Sequence, residues 1–160
     1  MFLRLDSQDK EAMALIDSEG GTITYGGILM FAEKFKESIK GRMLVFILSR
    51  NCVGSAAGYL GALINQIVPL MLKAGIDQDL LETLVNIYRP AYIWKPVEMV
   101  EESENILLQG YRYALVPTGL QPYAMYRELS LLLTTSGSTG SPKLVRHSYG
   151  NLEAQAKNIS

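Results

Sequence analysis

"MLVFILS" occupies residues 43–49. The run is continuously apolar up to its final serine, and it holds both β-branched and aromatic members. Such a run suits a strand buried on both faces, as in a parallel sheet. Upstream, "GGILMFAEKFKESIKG" (26–41) predicts a helix. Ile28, Phe31, Ala32, Phe35 and Ile39 fall on one stripe, Lys34, Lys36 and Glu37 lie off it, and Gly41 supplies a stop. Before it, "AMALIDSEGGTITY" (12–25) reads as two short strands joined by a Ser-Glu-Gly-Gly turn. Downstream, "RNCVGSAAGYLGALINQ" (50–66) predicts a second helix. Asn51 is its expected cap, and Gly54, Ala57, Gly58 and Gly61 would let it pack close to a sheet.

The pattern then repeats. "IVPLML" (67–72) is the next strand, with Pro69 favouring an edge or an end. "DQDLLETLVNIYRP" (77–90) is a helix with an acidic start and a proline stop, and "AYIW" (91–94) a short strand. Residues 96–110 form an acidic connection, "YRYALVP" (111–117) alternates like a strand, and "LSLLLTT" (129–135) is another apolar run. "KLVRHS" (143–148) is a return strand, and "YGNLEAQAKNIS" (149–160) a helix without a stop signal. Strands alternating with helices predict an α/β fold, with a largely parallel sheet flanked by helices and right-handed crossovers. With no second domain boundary, residues 1–160 are expected to form a single incomplete domain, a piece of something longer.

Bulk composition narrows the functional classes. At 48% hydrophobic and 19% charged residues, the chain belongs with globular proteins. Fifteen Lys and Arg against sixteen Asp and Glu give no global pull toward nucleic acid or an anionic membrane. Cys52 is the only cysteine, so no internal disulfide and no metal-binding Cys/His spacing exists. A cytoplasmic location follows as the expectation. No apolar stretch is long enough to predict a membrane span.

The chemistry concentrates in "TTSGSTGSPK" (134–143), which follows a buried-looking strand. Ligands of open α/β sheets bind beyond the carboxyl ends of strands. Gly137 and Gly140 permit positive φ, so successive N–H groups can turn inward on an anion. Thr135, Ser136, Ser138 and Thr139 add hydroxyl donors, Pro142 stiffens the loop and Lys143 brings a mobile charge. The Walker A pattern is excluded because Pro142 precedes Lys143, and the dinucleotide fingerprint because no Gly-x-Gly leads. A Ser/Gly linker is the plain alternative, but its neighbours "LSLLL" and "KLV" both want burial.

Thr135, Ser136, Gly137, Ser138, Thr139, Gly140, Pro142 and Lys143 resemble the phosphate loop of the acyl-adenylate-forming (AMP-binding) family. That family includes acyl-CoA synthetases, firefly luciferase and the adenylation domains of peptide synthetases. Its motif runs Thr-Ser-Gly-(Ser/Thr)-Thr-Gly-x-Pro-Lys-Gly, and Leu144 departs from the final glycine. Asn151 and Leu152 match downstream, while Tyr149 replaces a frequent histidine. "ITYGGI" from Ile23 is similar to the family's Leu-Thr-Tyr-x-Glu-Leu, with Gly27 at the glutamate position. "YLGALINQIVPLML" is similar to its Leu-Gly-Ala-Leu-Lys-Ala-Gly segment, with Ile64, Asn65 and Gln66 replacing the last three.

The resemblance implies the N-terminal portion of such an enzyme's large domain, ending just after the phosphate loop. It also implies a two-step reaction. A carboxylate attacks the α-phosphate of ATP, and a thiol, coenzyme A or a carrier's phosphopantetheine, then takes the acyl group. Thr135, Ser136, Gly137, Ser138, Thr139, Gly140 and Lys143 would contact ATP, with Lys143 stabilising phosphate charge and Mg²⁺ sharing that work. The pocket and late catalytic residues of the family lie beyond this sequence, so the piece alone is expected to be inactive. The other readings are a stand-alone nucleotide- or anion-binding module without chemistry, and an interaction domain whose loop is only a turn. His147, Arg146 and Cys52 are expected in structural or surface roles, as are Trp94 and Tyr111, Tyr113, Tyr123 and Tyr126. Glu98, Glu101, Glu102 and Glu104 read as a solvated loop rather than a metal site.

Overall fold

A computed structural model of the chain describes residues 2–134, 144–152 and 154. A 3₁₀ turn, Phe2–Ser7, leads into the hairpin of β1 (Met13–Ile16) and β2 (Thr22–Thr24), which pair antiparallel by themselves. Helix α1 (Tyr25–Ser38) starts at once, because Thr24 is extended and its Oγ1 accepts the Gly27 N–H at 3.0 Å. All five stripe residues of the predicted helix are buried. Gly41, at φ +80°, turns the chain toward the sheet where a Cβ would be strained.

Strand β3 (Leu44–Ser49) has five fully buried residues in succession, as its apolar run requires. Helix α2 (Val53–Ile64) leads to β4 (Val68–Lys73), and α3 (Gln78–Tyr88) leads to β5 (Tyr92–Pro96). After a 3₁₀ turn (Val97–Met99) come β6 (Leu108–Gly110), β7 (Tyr113–Pro117), β8 (Leu129–Thr134) and β9 (Leu144–Ser148). Tyr149 opens a further helical turn. Among the described residues, seven strands form one sheet in the order β6-β7-β5-β3-β4-β8-β9. The central four, β5, β3, β4 and β8, are parallel, and the flanking strands join antiparallel, so the sheet is mixed around a parallel centre.

Alternate residues of the central strands feed two cores. Val45 and Ile47 point to the face covered by α1 and α2, with Phe31, Phe35, Ala57 and Trp94. Leu44, Phe46 and Leu48 point to the α3 face, with Leu70, Leu72, Leu81 and Leu84. The small residues of α2 do the work expected of them. A Cβ on Gly58 would overlap the Trp94 indole, and one on Gly61 would sit 3.3 Å from Phe35. Pro69 stands near the start of β4, inside the sheet. The Val68 N–H points to β3, bonding Met43 O at 2.9 Å, so position 69 faces β8. The β8 ladder begins only at Leu70, opposite Leu132, so the donor that proline lacks has no partner to lose.

One expectation fails locally. Asn51 does not cap α2: the extended residue at the cap is Cys52, whose side chain makes no capping bond. Asn51 lies one position too early. The Val53 N–H, which has no intrahelical acceptor, is taken instead by Asp17 Oδ2, 2.9 Å away on the β1–β2 hairpin.

Candidate functional site

Thr135, Ser136, Gly137, Ser138, Thr139, Gly140 and Lys143 lie outside the described residues. Their frame is described. Strand β8 runs parallel to β4, with Leu132 opposite Leu70 and Leu133 opposite Met71. Thr134 therefore ends at the same edge of the sheet as Ser49 of β3 and Lys73 of β4. Strand β9 returns antiparallel, with Leu144 opposite Thr134, so residues 135–143 join the two strands at that carboxyl edge.

The topology marks the same edge. The chain leaves β3 toward α2 on one face and leaves β4 toward α3 on the other. Two adjacent parallel strands whose exits diverge leave a crevice at their carboxyl ends, where ligands of open α/β sheets bind. Ser49 Oγ donates to Leu72 O across this crevice at 2.9 Å. Arg50, one residue on, is ion-paired with Glu98. Asp17 reaches in from the hairpin and accepts N–H bonds from Val53 (2.9 Å), Gly21 (2.7 Å) and Glu19 (3.0 Å). These bonds, the one from Val53 foremost, hold its carboxyl below the usual 3.8.

The remaining candidates separate clearly. His147 is half-buried on β9, and its carbonyl accepts the Ser130 hydroxyl at 2.7 Å. Among the described residues no ion pair or hydrogen bond engages its imidazole. Arg146 is exposed beside it. Cys52 Sγ lies 3.8 Å from the Tyr113 hydroxyl, which itself donates to Leu48 O at 2.9 Å. Burial pushes the Tyr113 phenol well up, so it stays a neutral donor. Trp94 is fully buried, and its Nε1 donates to Gly54 O at 2.8 Å. It stacks on Tyr113 at 5.6 Å between ring centroids. Tyr123 and Tyr126 are exposed, so the aromatic residues divide between core and surface.

The acidic stretch is more than a solvated loop. Glu98 pairs with Arg50, and Glu104 pairs with buried Lys95 at 2.6 Å while accepting the Glu101 N–H at 2.8 Å. Among the described residues, no cluster of three or more His, Cys, Asp or Glu side chains could hold a metal, and no helix is long and apolar enough to cross a membrane.

Sequence reasoning missed Arg42. Its guanidinium donates to Gln66 O, to Tyr126 O at 2.7 Å and to Leu129 O, and lies 3.5 Å from the Tyr149 hydroxyl. It thereby clamps the amino ends of β4 and β8. No local signal could have revealed it, because these partners lie 24 to 107 positions away.

No protein-family model and no curated protein matches the sequence. The fold, however, has close counterparts among solved structures. O-succinylbenzoate CoA synthetase (MenE) from Bacillus subtilis, in complex with the acyl-adenylate intermediate OSB-AMP, superposes with a TM-score of 0.71 at 16% identity. The match covers 99% of this chain and 35% of that one. ATP-bound MatB from Rhodopseudomonas palustris gives 0.71 at 16% identity, covering 99% and 36%. VinN in complex with 3-methylaspartate gives 0.69 at 18% identity, covering 97% and 48%. The chain thus spans about a third to a half of the length of these structures. At such identities the likeness is one of fold: the chain has the α/β fold of the N-terminal portion of an acyl-adenylate ligase domain.

Proposed function

We propose that the chain is the N-terminal part of an ATP-dependent carboxylic acid ligase. Such an enzyme forms an acyl-adenylate and passes the acyl group to a thiol, coenzyme A or a carrier's phosphopantetheine. One observation carries the reading. A Gly-, Ser- and Thr-rich stretch ending in Lys143 leaves the carboxyl edge of a parallel strand, in a fold shared with an enzyme that holds an acyl-adenylate.

In this reading the backbone N–H groups of Gly137 and Gly140 and the hydroxyls of Thr135, Ser136, Ser138 and Thr139 hold the outer phosphates of ATP. Lys143 offsets the charge that builds as a carboxylate oxygen attacks the α-phosphorus and pyrophosphate leaves. In the second step a thiolate attacks the acyl carbon and AMP departs. Mg²⁺, when bound, would spread the phosphate charge further. The hydroxyls of Thr135, Ser136, Ser138 and Thr139 are of a kind that would sit in its water shell. The chain alone would lack the acyl pocket and would not complete the reaction.

The test is carboxylate-dependent exchange of pyrophosphate into ATP, in the protein that carries this chain at its N-terminus. Lys143→Ala should slow it by about tenfold or more. Unchanged exchange in the variant would defeat the assignment of the loop. Full exchange by residues 1–160 alone would defeat the claim that the chain is an inactive part.

A further inference from the structure

Strand β9 does not choose its own register. Its sequence, "LVRHS" (144–148), places two apolar residues together and then two polar ones, without alternation. A slip of one position along β8 would exchange Leu144 for Val145 and Arg146 for His147, like for like. The usual penalty for turning apolar side chains to the wrong face is therefore small. The slip would matter at the carboxyl edge. In the observed register Leu144 stands opposite Thr134. Slipped by one, Lys143 would stand there, drawn into the ladder, and the stretch between the strands would shorten to 135–142. Strand β8 supplies what β9 lacks. Leu129 pairs with Ser148 and Leu131 with His147, so two steps along β8 match one along β9, and Ser130 is the extra residue of a β-bulge. Side-chain placement agrees: Leu129 and Leu132 both pack against the α3-side core, although residues three apart on a straight strand face opposite sides. Ser130 is completely buried, and its hydroxyl donates to His147 O at 2.7 Å across the bulge. Arg42 fastens the other side by donating to Leu129 O. With that end anchored, the bulge sets the count from Leu129 to Thr134.

We propose that Ser130 is a positioning residue for the phosphate loop: its hydroxyl, bonded to the His147 carbonyl, holds the bulge that keeps Lys143 beyond the end of the ladder and free to meet ATP. The role in ATP use rests on the ligase reading; the lock itself rests only on the β8–β9 ladder. Without the hydroxyl, the bulged register leaves the His147 carbonyl short of a donor, and the straight register competes. Lys143 is misplaced in the slipped fraction only. ATP selects the competent fraction, so its apparent affinity falls by that fraction while turnover at saturation is kept.

Two readouts test it. Cross-strand backbone NOEs in the chain report the register: Thr134 to Leu144 in the wild type, and in Ser130→Ala a slipped majority with Thr134 to Lys143. Pyrophosphate exchange in the protein that carries the chain reports the loop: Ser130→Ala should raise the KM for ATP about fivefold with kcat nearly unchanged. Val145→Thr added to Ser130→Ala should restore both, because the slipped register would turn the new hydroxyl toward Leu132 and the α3-side core. A mere loss of stability would not be rescued in this way. A single, unchanged register in Ser130→Ala overturns the proposal. So does a slipped register with an unchanged KM in an enzyme whose exchange Lys143→Ala slows. If Lys143→Ala also leaves exchange unchanged, the loop assignment has failed and the positioning role falls with it, while the NOEs still decide whether Ser130 locks β9.

Discussion

A methyl group on Gly58 would overlap the Trp94 indole and lie 2.9 Å from its Cγ, in a core where Trp94 is completely buried. Neither side can yield, because Trp94 is wedged against Phe31, Phe35 and Tyr113 and tied to Gly54 O. Gly58→Ala should therefore cost about 2–3 kcal/mol or more, despite alanine's better helix propensity. Gly61→Ala, whose Cβ meets Phe35 at 3.3 Å, should be close to neutral. Urea unfolding of the two variants checks this, and equal losses would mean that the close approach at Gly58 does not matter. Asp17 gives a pH prediction at the same scale. Its folded pKa lies below the ordinary 3.8 because Val53, Gly21 and Glu19 donate to the carboxylate. The folded state thus binds the proton less readily than the unfolded chain. The resulting stability is fully present above about pH 4 and is lost as pH falls through the lowered value. Asp17→Ala should be less stable than wild type at pH 6, and the gap should shrink at pH 3. A gap that stays constant would show that the carboxylate's charge does not hold the helix.

Between elements, Arg42 is the long-range fastening. It bonds carbonyls at the α2–β4 turn and at the entry to β8. Arg42→Met should cost about 1–3 kcal/mol. It should also raise hydrogen exchange at Ser130 to Leu133 by about tenfold, with β3 protected as before. Unaltered exchange in β8 would mean that pairing with β4 alone holds the strand. The same elements show what the sequence could reveal. Buried strand β3, the stripe of α1 and the Asp77 start of α3 were legible because each is a local pattern. Strand β6 was not, since its three residues, Leu108–Gly110, are held only by β7. The cap of α2 went to the wrong residue because Asp17 reaches it through space across 36 positions. Arg42 was invisible for the same reason. The strand that leads into residues 135–143 was legible as an apolar run, while the reading of those residues lies outside the described part of the chain. The paired return of β9 against β8 is what fixes both ends of the stretch at one edge.

At the scale of the whole molecule, the question is whether the two cores are one cooperative unit. Strands β3 and β4 belong to both. Val45, Ile47 and Met71 pack toward α1 and α2, while Leu44, Phe46, Leu48, Leu70 and Leu72 pack toward α3. Neither face can come apart without unpairing strands that the other face needs, so loss of one should propagate through the sheet. Trp94, the chain's single tryptophan, reports only the α1 and α2 side. Phe46→Ala removes a fully buried ring from the α3 side and should cost about 3–5 kcal/mol. If the sheet couples the faces, Trp94 fluorescence and far-UV circular dichroism should shift to the same lower urea midpoint in this variant. A Trp94 midpoint that stays put while the dichroism falls early would show two independent halves. The carboxyl edge would then lose its common frame, because β8 pairs with the rest of the sheet through β4. One transition in both signals would instead mean that the α3 face, remote from the hairpin, helps hold the strand ends where ligand binding is proposed.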